Sequence, residues 1–149
     1  MNNVLDSGVI IKGILEPRRK KQDEILAEQL RVYSVASSLM NEVNSGKTSL
    51  LIPNVAIVEI AAVASRLTGN KNIGIETANF IQNIAKIINE NDILTQCVDI
   101  AATTKASGFD NIFIACAKVT NSTLVTDDKK MYDAAGKIGV KAKLLRDMS

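Results

Sequence analysis

Asn3-Val4-Leu5-Asp6-Ser7-Gly8-Val9-Ile10-Ile11 decides how this chain is read. Asn3 to Leu5 suits a short buried strand. Asp6-Ser7-Gly8 makes a turn, and Val9 to Ile11 open a short helix that stops near Gly13. A strand that feeds straight into a helix is not half of a hairpin. Its sheet partners are reached by crossovers and lie mostly parallel to it.

The same alternation continues along the chain. From about Arg18 to Ser45, the residues Ile25, Leu26, Leu30, Val35, Leu39 and Val43 fall near helical spacing, with Pro17 at the start and Gly46 at the stop. Leu50 to Ile52 reads as a strand closed by Pro53, and Asn54 caps a helix to about Leu67. A loop at Thr68-Gly69-Asn70 leads to a helix over Ile73 to Asn89. Ile93 to Gln96 reads as a strand, Val98 to Ala106 and Asp110 to Val119 as helices. Ser122 to Thr126 is a strand, Asp128 to Ile138 a helix, and Val140 to Leu145 a final strand. The expected architecture is a single α/β domain over residues 1–149. It is a three-layer sandwich with a mostly parallel central sheet of about five strands and helices on both faces, joined by right-handed crossovers. Ligands in such sheets bind beyond the carboxyl ends of the strands.

Composition narrows the chemistry. Of the 149 residues, 46% are apolar and 23% charged, which suits a globular chain and excludes disorder. Aromatics are only 3% and tryptophan is absent, so the core is aliphatic and a base-stacking platform is not expected. There is no histidine, which excludes Ser-His-Asp and Cys-His catalysis and every His-ligated metal. Cys97 and Cys116 form no CxxC pair and no four-ligand zinc pattern. No apolar run approaches the ~20 residues that span a bilayer, and the start MNNVLDSG lacks a signal-peptide pattern, so a cytoplasmic protein with no membrane partner is expected. The net charge of +2 permits a polyanionic partner without demanding one.

Acids mark four strand–helix junctions. Asp6 ends the first strand, Asp127 and Asp128 end the fourth, Asp110 opens a helix after a Gly-Phe turn, and Glu59 lies one to two turns into the helix after the second strand. The aspartates also stand where helix N-caps are wanted. Glu59 lies in Val55-Ala56-Ile57-Val58-Glu59-Ile60-Ala61-Ala62-Val63-Ala64, a run apolar all round, so its helix is expected to be buried on most faces. A carboxylate there needs a metal, a raised pKa, or a cation such as Lys12 or Lys118. Four carboxylates converging on one edge cannot all ionise without a counter-charge. Hard oxygen ligands select Mg²⁺ or Mn²⁺, ions that also accept phosphate oxygens and suit phosphodiester cleavage.

Four motifs in order carry a resemblance: Val4-Leu5-Asp6-Ser7, Val58-Glu59-Ile60, Asp110-Asn111-Ile112-Phe113-Ile114-Ala115 (an Asp-x-x-Ile-x-Ala pattern) and Leu124-Val125-Thr126-Asp127-Asp128 (a Thr-x-Asp pattern). Together the sequence resembles the PIN-domain nucleases, and among them the VapC-like toxins of toxin–antitoxin pairs, over nearly its whole length. The resemblance implies a PIN-like sandwich and an Mg²⁺- or Mn²⁺-dependent endoribonuclease, with Asp6, Glu59, Asp110 and Asp128 as catalytic metal ligands. Asp127 stands as the alternative to Asp128. Ser7 and Thr126 would hydrogen-bond the acids or a metal-bound water. A small antitoxin that blocks the site is also implied. The alternatives are a non-catalytic module of the same fold that binds RNA or protein, and a nuclease of RNA processing or quality control.

Among cations, Arg18 and Arg19 head the densest basic run, at the start of the long helix. Lys129 and Lys130 adjoin the acids; these four are candidate RNA contacts. The helices around Ala61 to Leu67 and Ile73 to Ile88 look more apolar than one core needs, which suggests a homodimer face.

Overall fold

The computed structural model describes residues 1–149. Five strands form one sheet in the order β3-β2-β1-β4-β5. They are β1 (Asn2–Leu5), β2 (Ser49–Pro53), β3 (Lys86–Ile88), β4 (Thr123–Thr126) and β5 (Ala142–Leu144). All four pairings are parallel, with Val4 beside Leu124 and Asn3 beside Leu50 in register. Seven helices connect them: α1 (Ser7–Ile14), α2 (Glu24–Asn44), α3 (Asn54–Thr68), α4 (Lys71–Ile84), α5 (Leu94–Thr104), α6 (Gly108–Thr120) and α7 (Lys129–Lys137).

The chain winds outward from β1 to β3, then crosses back to β4 and on to β5. Right-handed crossovers in opposite directions put α1 to α4 on one face and α5 to α7 on the other. The winding therefore reverses between β1 and β4, and a crevice opens beyond their carboxyl ends. The core of 31 buried residues is aliphatic apart from Phe113 and the sulfur residues, and fills both faces of the sheet. Two glycines set its tightest contacts. A Cβ on Gly13 would stand 2.7 Å from the Ala36 carbonyl oxygen, and one on Gly74 would stand 2.6 Å from that of Ala61. These positions let α1 meet α2 and α4 meet α3 at close range.

Several boundaries differ from the sequence reading. The third strand is Lys86–Ile88, not Ile93 to Gln96, and α4 ends at Ile84 rather than running to Asn89. Ile87 and Ile88 are β-branched and pack on the core as an edge strand. Ile93 ends a 3-10 turn (Glu90–Ile93), and Leu94 to Gln96 open α5. The long helix starts at Glu24, capped by the Asp23 carboxylate on the Leu26 N–H at 3.0 Å. The basic run at Arg18 therefore precedes the helix rather than opening it. Asn54 does not cap α3 either. The Glu90 carboxylate does so from outside, accepting from the Asn54 and Val55 N–H groups at 2.8 and 3.0 Å. No helix is long and apolar enough to cross a membrane.

Candidate active site

Asp6 follows β1 directly. Its Oδ1 accepts the Val9 N–H at 2.8 Å, capping α1, and its Oδ2 accepts the Thr126 hydroxyl. Thr126 Oγ1 in turn accepts the Asp128 N–H at 3.0 Å, so one hydroxyl ties the ends of β1 and β4 together. Asp6 is only 6% exposed. Burial pushes its pKa up, against the pull of these hydrogen bonds, and the nearby Asp127 charge adds to the rise. Capping and facing the crevice are compatible, because each carboxylate oxygen keeps a second lone pair.

Asp128 caps α7, with Oδ1 accepting the Lys130 and Met131 N–H groups at 2.8 and 3.4 Å. Asp127 turns elsewhere. It pairs with Lys12 and lies 3.4 Å from Arg146 Nε, while Arg146 also donates to its carbonyl.

Asp110 is not a cap. Ser107 caps α6, and Asp110 is the third residue of that helix. The loop before it is held by Asn111, which is 1% exposed. Asn111 accepts from the Thr104 hydroxyl at 2.7 Å and donates to the carbonyls of Ala106 and Ser107 at 3.0 and 2.8 Å. Burial raises the Asp110 pKa first. The charges of Asp128 and Glu59 raise it further, and Lys130 opposes them.

Glu59 lies in the second turn of α3 and is half-buried. The expectation of a helix buried on most faces is corrected: only Ala56, Ile60 and Ala64 are buried, and Val58 is 69% exposed. The helix lies at the surface with one face inward, so Glu59 reaches the crevice edge. It pairs with neither Lys12, which Asp127 holds, nor Lys118, which is exposed.

Asp6, Glu59, Asp110 and Asp128 line one cleft of about 350 Å³, with Ser7 and Phe109. None of the four acids enters an ion pair. Ser7 does not bond the acids directly. Its hydroxyl is buried with no hydrogen-bond partner. Lys129 lies along α7, with Asp133 at 2.9 Å and the Tyr132 ring at 5.0 Å. Arg18 and Arg19 line a neighbouring groove of about 590 Å³ instead, and Arg19 is tied to Asp23 at 2.9 Å. Lys12 and Asp127 form a wall common to both cavities. Lys12 and Phe109 were not legible as cleft residues. The available signals were the i+4 step from Gly8 to Lys12 and an aromatic residue directly before Asp110 in a polar stretch.

The donor set fits a hard divalent cation. It offers only oxygens, its charges have no ion-pair partner on the chain, and burial holds two of its carboxyls above their ordinary pKa. As they stand, no three of the chain's carboxylates or thiols are grouped closely enough to hold one ion between them. An ion that keeps several waters and takes one or two carboxylates directly suits so open a ring.

The PIN domain family model matches residues 4–137. The chain belongs to the PIN domain family. The fold agrees with that of solved structures. VapBC2 from Rickettsia felis bound to a DNA fragment from their promoter aligns at TM-score 0.64 and 13% identity, covering 97% of this chain and 98% of that one. FitAB bound to an IR36 DNA fragment aligns at 0.66 and 18%, covering 99% and 97%. FitAcB from Neisseria gonorrhoeae aligns at 0.58 and 16%, covering 98% and 99%. No curated protein matches the sequence significantly. In this PIN domain, the expected five-stranded sheet and flanking helices are present, and every strand pairing is parallel.

Proposed function

We propose that this PIN domain is an Mg²⁺- or Mn²⁺-dependent endoribonuclease of the VapC type. The observation that carries the reading is the cleft itself. Four carboxylates from four separate segments, none neutralised by a cation of the chain, face one crevice at the reversal of the sheet's winding.

Asp6, Glu59, Asp110 and Asp128 hold the ion in this reading, some of them through water. Asp128 is chosen over Asp127 because the Asp127 charge is already matched by Lys12 and Arg146. A bound divalent ion supplies positive charge for activating water and for the oxygens of a phosphodiester in displacement. Thr126 fixes the Asp6 carboxylate and the Asp128 backbone in one frame, so both acids keep their aim when the ion leaves. Lys130 and Lys12 offer cationic density at the rim for phosphates. The paired names VapBC2, on a DNA fragment from their promoter, and FitAB, on an IR36 DNA fragment, support a small antitoxin as partner. The exposed Val58, Leu67, Ile75 and Phe80 of α3 and α4 support a homodimer face, and the likeness to VapBC supports a cytoplasmic setting.

The test is cleavage of a labelled RNA against added metal. The reading expects no product in EDTA, product on adding Mg²⁺ or Mn²⁺, and weaker turnover as salt rises. RNA affinity that persists in EDTA, with no cleavage in either metal, would identify a binding module and overturn the enzyme.

A further inference from the structure

Phe109 has no task in the fold. The chain holds three phenylalanines and two tyrosines. Phe113, one turn further along α6, is 2% exposed and serves the core, whereas Phe109 is 53% exposed. It belongs neither to the core nor to the partly buried residues packed against it. Yet it is firmly placed. Ser107 caps the helix below it, and the buried Asn111 pins the loop before it to Thr104 and to two backbone carbonyls. An exposed aromatic residue on a rigid helix start, one residue from Asp110, forms part of the lining of the acid cleft.

Resting on the endoribonuclease reading, we propose that Phe109 is a substrate-binding residue whose ring stacks on one unpaired nucleobase beside the scissile phosphate. A phosphodiester brought to the four carboxylates carries its sugars and bases to the cleft rim. The other side chains of the lining are mostly carboxylates with Lys12 and Ser7, whereas the exposed Phe109 ring offers an apolar surface, which fits the face of a base rather than its edge. A base paired within a duplex has both faces covered by its neighbours. The platform therefore selects a single-stranded segment, and it tolerates any base because every base has a flat face. The lack of a general aromatic platform is consistent with this, since one ring reads one position.

The chain's lack of tryptophan supplies the probe. Phe109→Trp places a lone indole at the rim. Its fluorescence is expected to be quenched by a short single-stranded RNA in EDTA, less by the same RNA in duplex form, and least by one carrying an abasic nucleotide at the stacking position. In Mg²⁺, Phe109→Ala is expected to raise KM for single-stranded RNA by about 5- to 150-fold with kcat little changed. Phe109→Trp and Phe109→Tyr keep KM near the native value, while Phe109→Leu does not. Walking an abasic nucleotide along the substrate is expected to find one position that costs the native enzyme that factor and costs Phe109→Ala nothing more. Native cleavage with an unchanged KM in Phe109→Ala, or full rescue by Phe109→Leu, overturns the stacking alone. A native protein that neither binds nor cuts RNA overturns the parent reading with it.

Discussion

The acid cleft and the groove beside it share Lys12 and Asp127, but charge is arranged in opposite ways on the two sides. In the groove most charges have a partner on the chain, Arg19 with Asp23, Glu28 with Arg31, and Arg146 with Asp127, while Glu16 and Arg18 have none. In the cleft, Asp6, Glu59, Asp110 and Asp128 have none. Charges that pair at a solvated surface change stability by little. Burial raises the carboxyl pKa values of Asp6 and Asp110 first, and for Asp110 the charges of Asp128 and Glu59 add to the rise. Charge is mostly matched within the groove and unmatched on the four cleft acids, which is the contrast the metal proposal rests on.

That contrast can be broken most directly at the acids. Asp110→Asn and Asp6→Asn are expected to lower RNA cleavage by about 10²- to 10³-fold or more with an unchanged circular dichroism spectrum. Native-like rates in both would end the claim that the cleft is the catalytic centre. A slightly smaller effect is expected on stability. Mg²⁺ or Mn²⁺ at about 100 times Kd adds about 2.7 kcal/mol, which raises Tm by several degrees in the native protein and by much less in Asp110→Asn. Equal shifts in the two proteins would mean the ion binds elsewhere.

Glu59→Gln keeps volume and removes charge. Titration calorimetry is expected to show metal affinity about tenfold weaker, since Glu59 sits at the cleft edge rather than its floor. The shared wall is the sharper comparison. Asp128→Asn is expected to weaken metal binding with α7 intact, because asparagine caps as well as aspartate. Asp127→Asn is expected to leave metal affinity alone and cost under about 1 kcal/mol. The reverse outcome would make Asp127 the fourth ligand.

The smallest effect is on pH dependence without metal. Asp6 and Asp110 have folded-state pKa values above their unfolded ones, so the folded state holds more protons in that window. Their contribution is fully favourable below the ordinary aspartate range and is lost as pH rises through the raised values. In EDTA, urea midpoints of the native protein are expected to fall relative to Asp110→Asn as pH rises from the ordinary carboxylate range toward neutrality. Parallel curves would show that the Asp110 pKa is not raised by burial and its neighbours.

Much of this was legible locally. β1, β2 and β4 end in a polar turn or a proline, so their apolar runs and the acids after β1 and β4 stand out. β3 was not legible, because Ile84-Ala85-Lys86-Ile87-Ile88 continues an apolar helix with no glycine or proline between them. The start of α6 was misread because Asp110 looks like a cap, while Ser107, three residues earlier, does the capping. Glu90 on the start of α3 and Lys12 and Arg146 on Asp127 are contacts between distant segments, and no local pattern encodes them. The exposure of α3 was missed because a run of alanine and valine does not reveal which face the sheet covers.

The hydroxyl of Thr126 reaches back 120 positions to Asp6. A growing polypeptide emerging from the ribosome has its first acid early but gains its fourth only at residue 128. Until β4 slots beside β1, the carboxylates belong to no common pocket, and on the proposed reading a stalled or truncated product lacks the full ligand set. If the enzyme attacks cellular RNA, synthesis itself delays the hazard until residue 128 has emerged and β4 has paired with β1.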